Sequence, residues 1–179
     1  AVSVLTDAHY FDGRPEFPAR VRQVFPGPVL RKDFLVDEPD LAIASAMGCD
    51  AVLAIVSLLG AATRDFIRTA RCYGLEVLVE VHDRRELDIA MASGSAIIGV
   101  NNRDLKTFRV DLSRTEELAE LIPSPVLLVA ESGMRSLHDA MRMRRAGADA
   151  LLVGERLART GGQGIADLRI EEPRGNRPL

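Results

Sequence analysis

Four stretches of the chain repeat one pattern, a glycine followed closely by a short apolar run. They are MGCDAVLAIV (47–56), YGLEVLVEVH (73–82), SGSAIIGVNN (93–102) and AGADALLVGE (146–155). The glycine is typical of a helix C-terminus, where the left-handed conformation costs it no Cβ clash. The run is typical of a strand that is buried on both faces. The repeated unit is therefore predicted to be helix, glycine, strand.

Apolar runs and helical spacing alternate along the whole chain. Seven strands are predicted, over residues 1–5, 28–32, 50–56, 76–82, 96–101, 125–131 and 149–154. Helical spacing covers 17–24, 39–47, 61–73, 85–92, 113–121 and 136–146. Several helices have a predicted start signal, namely Asp37 before Pro39, Asp83, and Ser113 with Glu116 in a capping box. Strict alternation predicts a parallel sheet with right-handed crossovers.

Two architectures fit this alternation, a doubly wound open sheet and a (β/α)8 TIM barrel. An open sheet exposes edge strands, which charges or proline usually blunt against further pairing, and none of the seven runs looks blunted in this way. The sequence therefore favours an α/β TIM barrel with seven β/α units, strands 2–8, in one incomplete domain over residues 1–170. The first strand and helix are expected upstream of Ala1. Residues 171–179 have no strand pattern and are expected to be a disordered tail.

Composition narrows the class of protein. The 179 residues are 47% hydrophobic, with a net charge of -3 and a pI near 5.7, so nothing draws the chain toward nucleic acid. No apolar run approaches the roughly 20 residues of a membrane helix. Cys49 and Cys72 have no metal or disulfide spacing, which predicts a reducing, cytoplasmic setting. His9, His82 and His138 share no strand-end pattern, so no metal site is predicted.

Polar residues at the strand ends are the candidates for catalysis, because a parallel barrel forms its active site there. Lys32 follows the second strand and could protonate a developing oxyanion. Glu80 and Glu131 interrupt apolar strands where an enclosed carboxylate needs a partner or a task. Asn101 could orient a hydroxyl or a carboxylate. Structural alternatives stay open: Lys32 as a surface residue, Glu80 in an ion pair, and Asn101 in a turn.

The loops after the last two strands are candidates for binding phosphate. Ser132 and Gly133 follow one strand, and Gly154 and Glu155 follow the next. Backbone N–H groups and a hydroxyl at these positions suit a phosphate held against a helix N-terminus. Glu155 would contribute only its backbone N–H. Turn geometry alone is the alternative explanation for both glycines.

Six motifs in this order resemble the indole-3-glycerol-phosphate synthase family of tryptophan biosynthesis, over residues 1 to about 160. They are SVLTD, PVLRKDF, LVEVH, IIGVNNRDLKTF, VAESG and GADALLVGE. The resemblance implies a TIM-barrel lyase that closes the indole ring of 1-(2-carboxyphenylamino)-1-deoxyribulose 5-phosphate, releasing CO2 and water without a cofactor.

The same resemblance assigns roles to the candidates. Lys32 is implied as a general acid in ring closure, and Glu80 in proton transfer during dehydration. Asn101 and Glu131 are implied around the hydroxyls and the reacting centre of the substrate. The implied phosphate positions are Ser132, Gly133, Gly154 and Glu155.

The chain departs from the family at its start. Family members carry a Glu-x-Lys pair and a mobile loop on the first strand, and neither is present here. This chain alone is therefore expected to be weakly active or inactive, and to self-associate at the open barrel gap. Two other functions stay open. One is a phosphate-binding isomerase of the phosphoribosylanthranilate type, which would need a Cys/Asp pair at strand ends. The other is a non-catalytic phosphate-binding or assembly module.

Overall fold

A computed structural model describes residues 1–170, which form two compact units. The first unit comprises Ala1–Glu80 with Asp88–Ser95, and the second comprises Val81–Leu87 with the chain from Ala96 onward. No helix within the described residues is long and apolar enough to cross a membrane. The predicted tail, 171–179, lies outside the described residues.

The strands of the first unit are parallel and adjacent in chain order. They are β1 (Val2–Leu5), β2 (Val29–Lys32), β3 (Ala51–Ile55) and β4 (Glu76–Val81), with Val4 beside Arg31 and Ile55 beside Glu80. The intervening helices are α1 (Ala8–Phe11), α2 (Phe17–Arg22), α3 (Glu38–Ala46), α4 (Val56–Leu59), a 3-10 turn (Gly60–Ala62) and α5 (Thr63–Cys72), and β4 is followed by α6 (Arg84–Ala92).

The second unit continues the same alternation. Its strands are β5 (Ile97–Asn101), β6 (Leu127–Glu131) and β7 (Ala150–Leu152), also parallel and in chain order. Its helices are α7 (Ser113–Ala119), α8 (Leu137–Arg145), α9 (Glu155–Thr160) and α10 (Gln163–Ala166). The central residues of the strands are fully enclosed, as shown by Val29, Val52, Val79, Ile98 and Leu128, each at 0% exposure.

The same pair of hydrogen bonds, made by one aspartate and here called the aspartate bracket, is present in both units. In the first, the Asp50 N–H donates to the Val29 carbonyl (2.9 Å) and the Asp50 carboxylate accepts from the Val29 N–H (2.7 Å). In the second, Asp149 and Leu128 repeat both bonds at 2.8 and 2.9 Å. The Asp of GCDAVL and of GADALL therefore ties the start of each new strand to the strand before it.

The predicted units are confirmed within residues 1–170. All seven strands and all six predicted helices form, with ends that differ by a few residues, and they constitute seven β/α units of a TIM barrel. Asp37 caps α3 as predicted, by accepting from the Asp40 N–H. The predicted capping box at Ser113 is wrong, because Leu112 is the N-cap and the Ser113 hydroxyl donates to Asp111 instead.

Candidate functional site

The direction of Lys32 follows from its neighbour on β2. The Arg31 guanidinium donates to the carbonyl of Asp40 on α3 (3.0 Å), so the Arg31 side of the strand faces a helix. Successive side chains of a strand point to opposite faces. Lys32 therefore extends from the face opposite α3, at the C-terminal end of β2.

Lys32 meets Glu80 on that face. The Lys32 Nζ lies 3.1 Å from the Glu80 Oε2, although 48 residues separate the two in sequence. Only 21% of the lysine side chain and 2% of the glutamate side chain are exposed. Exclusion of water strengthens the attraction between the two charges. The contact also places a proton donor directly beside a proton acceptor. This contact is the ion pair that was the structural alternative for Glu80. A catalytic role for Lys32 and Glu80 stays a prediction.

Asp33 has a different task from its neighbour Lys32. One carboxylate oxygen accepts from the Thr6 hydroxyl and from the Arg31 guanidinium (3.0 Å), and the other accepts from the Phe34 N–H (2.8 Å). Arg31 itself is only 5% exposed. Asp33 therefore neutralises a buried arginine and fixes the loop that follows β2.

Three aromatic side chains gather at the ends of β1 and β2. The ring of Phe34 lies 5.6 Å from that of Tyr10 and 6.1 Å from that of Phe11, between centroids. All three are exposed, Tyr10 by 70%. Sequence analysis gave them no role; the available signal was an aromatic residue soon after each of two strand ends. Together they form an open apolar surface two residues beyond Lys32.

Asn101 and Glu131 are neighbours in the second unit. They end β5 and β6 and stand directly opposite each other in the register, with exposures of 6% and 1%. The Asn101 side-chain oxygen accepts from the Arg103 N–H (3.0 Å), which stabilises the turn after β5. Both predicted polar residues therefore lie on one face of adjacent strands, enclosed and close together.

Asn102 is a positioning residue that sequence analysis did not separate from Asn101. It is completely buried. Its side-chain oxygen accepts from the N–H (3.2 Å) and hydroxyl (2.8 Å) of Thr115 on α7. Its amide nitrogen donates to the Glu131 carbonyl at 3.1 Å. Asn102 therefore holds the first turn of α7 against the end of β6 and fixes the backbone that carries Glu131.

The predicted phosphate residues lie in two loops of the second unit. Ser132 and Gly133 both have positive φ, 65° and 88°. A Cβ on Gly133 would come within 2.3 Å of the Val110 side chain, so the loop after β6 requires glycine there. The Ser132 N–H donates to the Leu152 carbonyl (3.4 Å), which connects this loop to the end of β7.

The second of these loops begins α9. Gly154 is the N-cap, no side chain caps the helix, and a Cβ there would meet nothing within 4 Å. The Glu155 carboxylate pairs with Arg103 (3.0 Å) and Arg159 (3.3 Å). Its side chain is therefore engaged by guanidinium groups, and the backbone role of Glu155 stays a prediction.

Arg103 places a positive charge beside the second phosphate loop. Its guanidinium is 28% exposed, and it also donates to the Phe108 carbonyl (3.3 Å). In the loop after β5, which also carries Arg103, the Asp104 carboxylate accepts from the N–H groups of Thr107 and Lys106, and these bonds lower the pKa of its carboxyl. The motif IIGVNNRDLKTF contains Arg103, but sequence analysis assigned that residue no role.

The structure thus distributes the predicted residues over two sets. Lys32 and Glu80 are in contact in the first unit; Asn101 and Glu131 are neighbours in the second, with Ser132, Gly133, Gly154 and Glu155 in loops of that same unit. Among residues 1–170 no three His, Cys, Asp or Glu side chains are arranged to hold a metal ion.

Comparison with known proteins gives consistent matches. The family model described as "Indole-3-glycerol phosphate synthase" matches residues 1–167. The synthase of that name from Thermoanaerobacter sp. (strain X514) is 47% identical over 87% of this chain and 60% of its own length. The one from Chlorobaculum tepidum is 50% identical over 88% of this chain and 62% of its own length. The chain thus spans about 60% of these curated relatives.

A solved structure shares the fold at low identity. The crystal structure of a 3-hexulose-6-phosphate synthase superposes with a TM-score of 0.74 at 15% identity, covering 93% of this chain and 84% of that one. At that identity, the similarity shows a common fold alone.

Proposed function

Because this chain belongs to the indole-3-glycerol phosphate synthase family, we propose that it carries residues for that family's reaction, closure of an indole ring with loss of CO2 and water. The observation that carries the proposal is the contact between Lys32 and Glu80. A lysine and a glutamate 3.1 Å apart, with the glutamate 2% exposed, form a proton donor and acceptor that solvent scarcely reaches.

The proposed role of Lys32 follows from its charge. Ring closure joins an aryl carbon to the carbonyl carbon of the sugar chain, and negative charge develops on the carbonyl oxygen. The Lys32 ammonium would donate a proton to that oxygen, which becomes a hydroxyl, and CO2 then leaves from the aryl carbon. Loss of the hydroxyl as water needs another proton at the oxygen and removal of one from carbon. Glu80 would take part in this proton transfer.

Asn101 and Glu131 would bind and orient the substrate. An amide both donates and accepts hydrogen bonds, and a carboxylate accepts them, so the two suit hydroxyl groups of a sugar chain. Their positions on adjacent strands keep both side chains in fixed directions. Rigid placement of this kind supports catalysis by holding reacting groups in alignment.

The phosphate of the substrate would bind at the loops after β6 and β7. The donors would be the Ser132 hydroxyl and backbone N–H groups at Gly133, Gly154 and Glu155. Arg103 would add a positive charge after exchanging its contact with Glu155 for the phosphate. The exposed rings of Tyr10, Phe11 and Phe34 would pack against the aromatic part of the substrate.

The test is the appearance of indole fluorescence from 1-(2-carboxyphenylamino)-1-deoxyribulose 5-phosphate, because the protein contains no Trp to obscure the product. The assay uses this chain and a chimera in which the N-terminal segment of the Chlorobaculum tepidum relative precedes Ala1. Turnover in either supports the proposal. Absence of turnover in both, with each shown to be folded by circular dichroism, rejects it.

Substitutions at Lys32 separate chemistry from structure. We expect Lys32→Ala to lower kcat by about 10²-fold or more, the usual contribution of a general acid. Lys32→Arg should keep the ion pair with Glu80 yet remain impaired, because a guanidinium does not release its proton. Lys106→Ala, at the other lysine of the chain, is the matched control. Normal turnover in Lys32→Arg would make the role of Lys32 structural.

A second candidate is a phosphate-binding module without catalysis. The observation in its favour is that the Ser132, Gly133 and Gly154 loops lie within one unit, which does not contain Lys32. Its signature is saturable binding of the substrate phosphate, measured by calorimetry, without indole formation. This function would be identified by two results together: no turnover in the unsubstituted chain, and loss of phosphate binding in the Gly133→Val variant.

We further propose a cytoplasmic location and self-association of the chain. Cys49 and Cys72 are both free thiols, which suits a reducing compartment. Leu5 on β1 is 37% exposed and offers an apolar contact to a second copy. Sedimentation velocity over a hundredfold range of concentration tests the second point, and a monomer throughout rejects it.

A further inference from the structure

A cavity of about 420 Å³ in the first unit is lined by none of the candidate site residues. It lies between α5 and the segment that follows α6, and its lining consists of Arg64, Ile67, Arg68, Arg71, Cys72 and Ser93. Half of these residues are arginines, in a protein whose net charge is -3. The cavity is therefore a local concentration of positive charge.

Helical spacing brings the three arginines together. Arg64, Arg68 and Arg71 are at positions i, i+4 and i+7 of α5, which share one face of a helix. Ile67 on the same face is buried and provides an apolar floor. Three like charges on one face repel each other, and the repulsion is relieved when an anion binds between them.

The guanidinium groups of Arg64 and Arg71 are both held at the C-terminal end of α6. Arg64 donates to the carbonyl of Ala92, and Arg71 donates to the carbonyl of Gly94 (3.5 Å). These carbonyls are two residues apart, with Ser93 of the cavity lining between them. The two charged groups therefore converge, and each retains several unused N–H donors.

Among residues 1–170, only one of these three arginines pairs with a carboxylate. Arg68 pairs with Asp65 at 3.1 Å, and both side chains are more than 70% exposed. Within residues 1–170, Arg64 and Arg71 have only backbone carbonyls as recorded partners. Two convergent guanidinium groups without a carboxylate match the geometry that phosphate oxygens accept in paired hydrogen bonds.

We propose that this cavity, the α5 arginine cavity, is a second anion site that binds a ligand carrying a diphosphate group. Arg64 and Arg71 form paired hydrogen bonds to the phosphate oxygens, and Arg68 adds charge at the outer side. The site is distinct in its residues from the predicted phosphate loops at Ser132 and Gly154, and it does not depend on the proposed synthase activity.

Cys72 provides a local readout of binding. Its thiol is exposed and lines the cavity, whereas the only other thiol, Cys49, is buried and burial raises its pKa. Alkylation by the neutral reagent iodoacetamide, followed by mass spectrometry of the intact folded protein, therefore reports on Cys72. Inorganic pyrophosphate is the probe, added at constant ionic strength with chloride as the reference anion.

We expect saturating pyrophosphate to slow alkylation of Cys72 at least about threefold. In the double variant Arg64→Gln/Arg71→Gln the apparent affinity should fall at least about tenfold, because tenfold corresponds to 1.4 kcal/mol and two charge-assisted hydrogen-bonding groups are lost. The double variant Arg64→Lys/Arg71→Lys should retain charge and intermediate affinity. Arg20→Gln, which removes an exposed arginine elsewhere, is the matched control.

Two results overturn the proposal directly, and the Arg103→Gln variant provides a third test. One is an alkylation rate of Cys72 that pyrophosphate does not change in the unsubstituted chain. The other is equal protection in Arg64→Gln/Arg71→Gln and in Arg20→Gln, which would make the effect nonspecific. Protection that persists in Arg103→Gln separates this site from the predicted phosphate loops, and protection that is lost there assigns the effect to those loops and rejects the α5 arginine cavity.

Discussion

At the scale of single residues, the chain uses arginine for almost every positive charge. Of its 23 Lys and Arg residues only Lys32 and Lys106 are lysines. Arginine keeps its proton at any pH a protein experiences, whereas lysine releases one when its surroundings lower its pKa. Lys106 is exposed in a loop, and Lys32 contacts a buried carboxylate. Lys32 is thus the enclosed cation whose proton the proposed function would use.

Gly133 and Gly154 allow a matched test of where the backbone requires glycine. We expect Gly133→Ala to lower the free energy of unfolding by about 2 kcal/mol or more, because its φ of 88° and the Val110 side chain both oppose a Cβ. Gly154→Ala, where a Cβ has open space, should change it little. Urea unfolding measures both. Equal effects at the two glycines would contradict this account.

At the scale of elements, polar side chains connect strands and helices to one another. The sequence by itself predicts only the order of these elements along the chain. Asn102 ties α7 to β6. The bidentate contact of Arg142 with Glu116, at 2.7 Å for both bonds, ties α8 to α7 and lowers the pKa of Glu116. The aspartate brackets at Asp50 and Asp149 join successive strands.

Removal of Asn102 should loosen this part of the second unit. We expect Asn102→Ala to cost about 3 kcal/mol of unfolding free energy, because the Thr115 N–H and the Glu131 carbonyl lose buried partners. Asn102→Asp keeps the acceptor for Thr115. It should cost less unfolding free energy at a pH low enough to keep the introduced carboxyl protonated, because no charge is then buried. Hydrogen exchange should show faster opening of α7 in the alanine variant. Unchanged protection of α7 would refute the positioning role.

The bracket at Asp50 predicts a pH dependence. Its pKa lies below the usual 3.8, chiefly because the carboxylate accepts the Val29 N–H, with Arg22 adding to the effect. A lowered pKa in the folded state means that the stabilisation is complete above about pH 4 and is lost as pH falls through the lower folded value.

We therefore expect Asp50→Ala to cost about 1 kcal/mol at pH 7, the usual net value of one such hydrogen bond. The difference from the unsubstituted chain should shrink as the pH falls below 4. Glu117→Ala, at an exposed acidic residue of α7, is the control. Unfolding midpoints measured between pH 3 and pH 7 decide, and a difference that does not vary with pH would contradict the assignment.

At the scale of the whole molecule, the net charge of -3 governs behaviour in solution rather than the fold. We expect solubility to be lowest near the pI of about 5.7, where the charge vanishes and apolar surface such as Val24, 84% exposed, meets least repulsion. Precipitation by polyethylene glycol between pH 5 and pH 8 measures this. A minimum far from pH 5.7 would mean that specific contacts, not net charge, control association.

Much of the architecture follows from the sequence alone. The seven strands and six of the helices were predictable because an apolar run bounded by glycine and polar residues has few other ways to bury itself. The capping signal at Asp37 is local and held, whereas that at Ser113 failed because Asp111 competes for its hydroxyl. Strand ends likewise indicated Lys32, Glu80, Asn101 and Glu131 as candidates.

Only the tertiary structure decided which of these side chains meet. Lys32 and Glu80 are 48 residues apart, and their 3.1 Å contact depends on the register of β2, β3 and β4. Asn101 and Asn102 are adjacent in sequence, yet Asn101 stands opposite Glu131 in the register of β5 and β6, whereas the Asn102 side chain joins α7 to the Glu131 backbone. Periodicity along one segment sets the element, but contacts between segments depend on packing and register, which no single segment encodes.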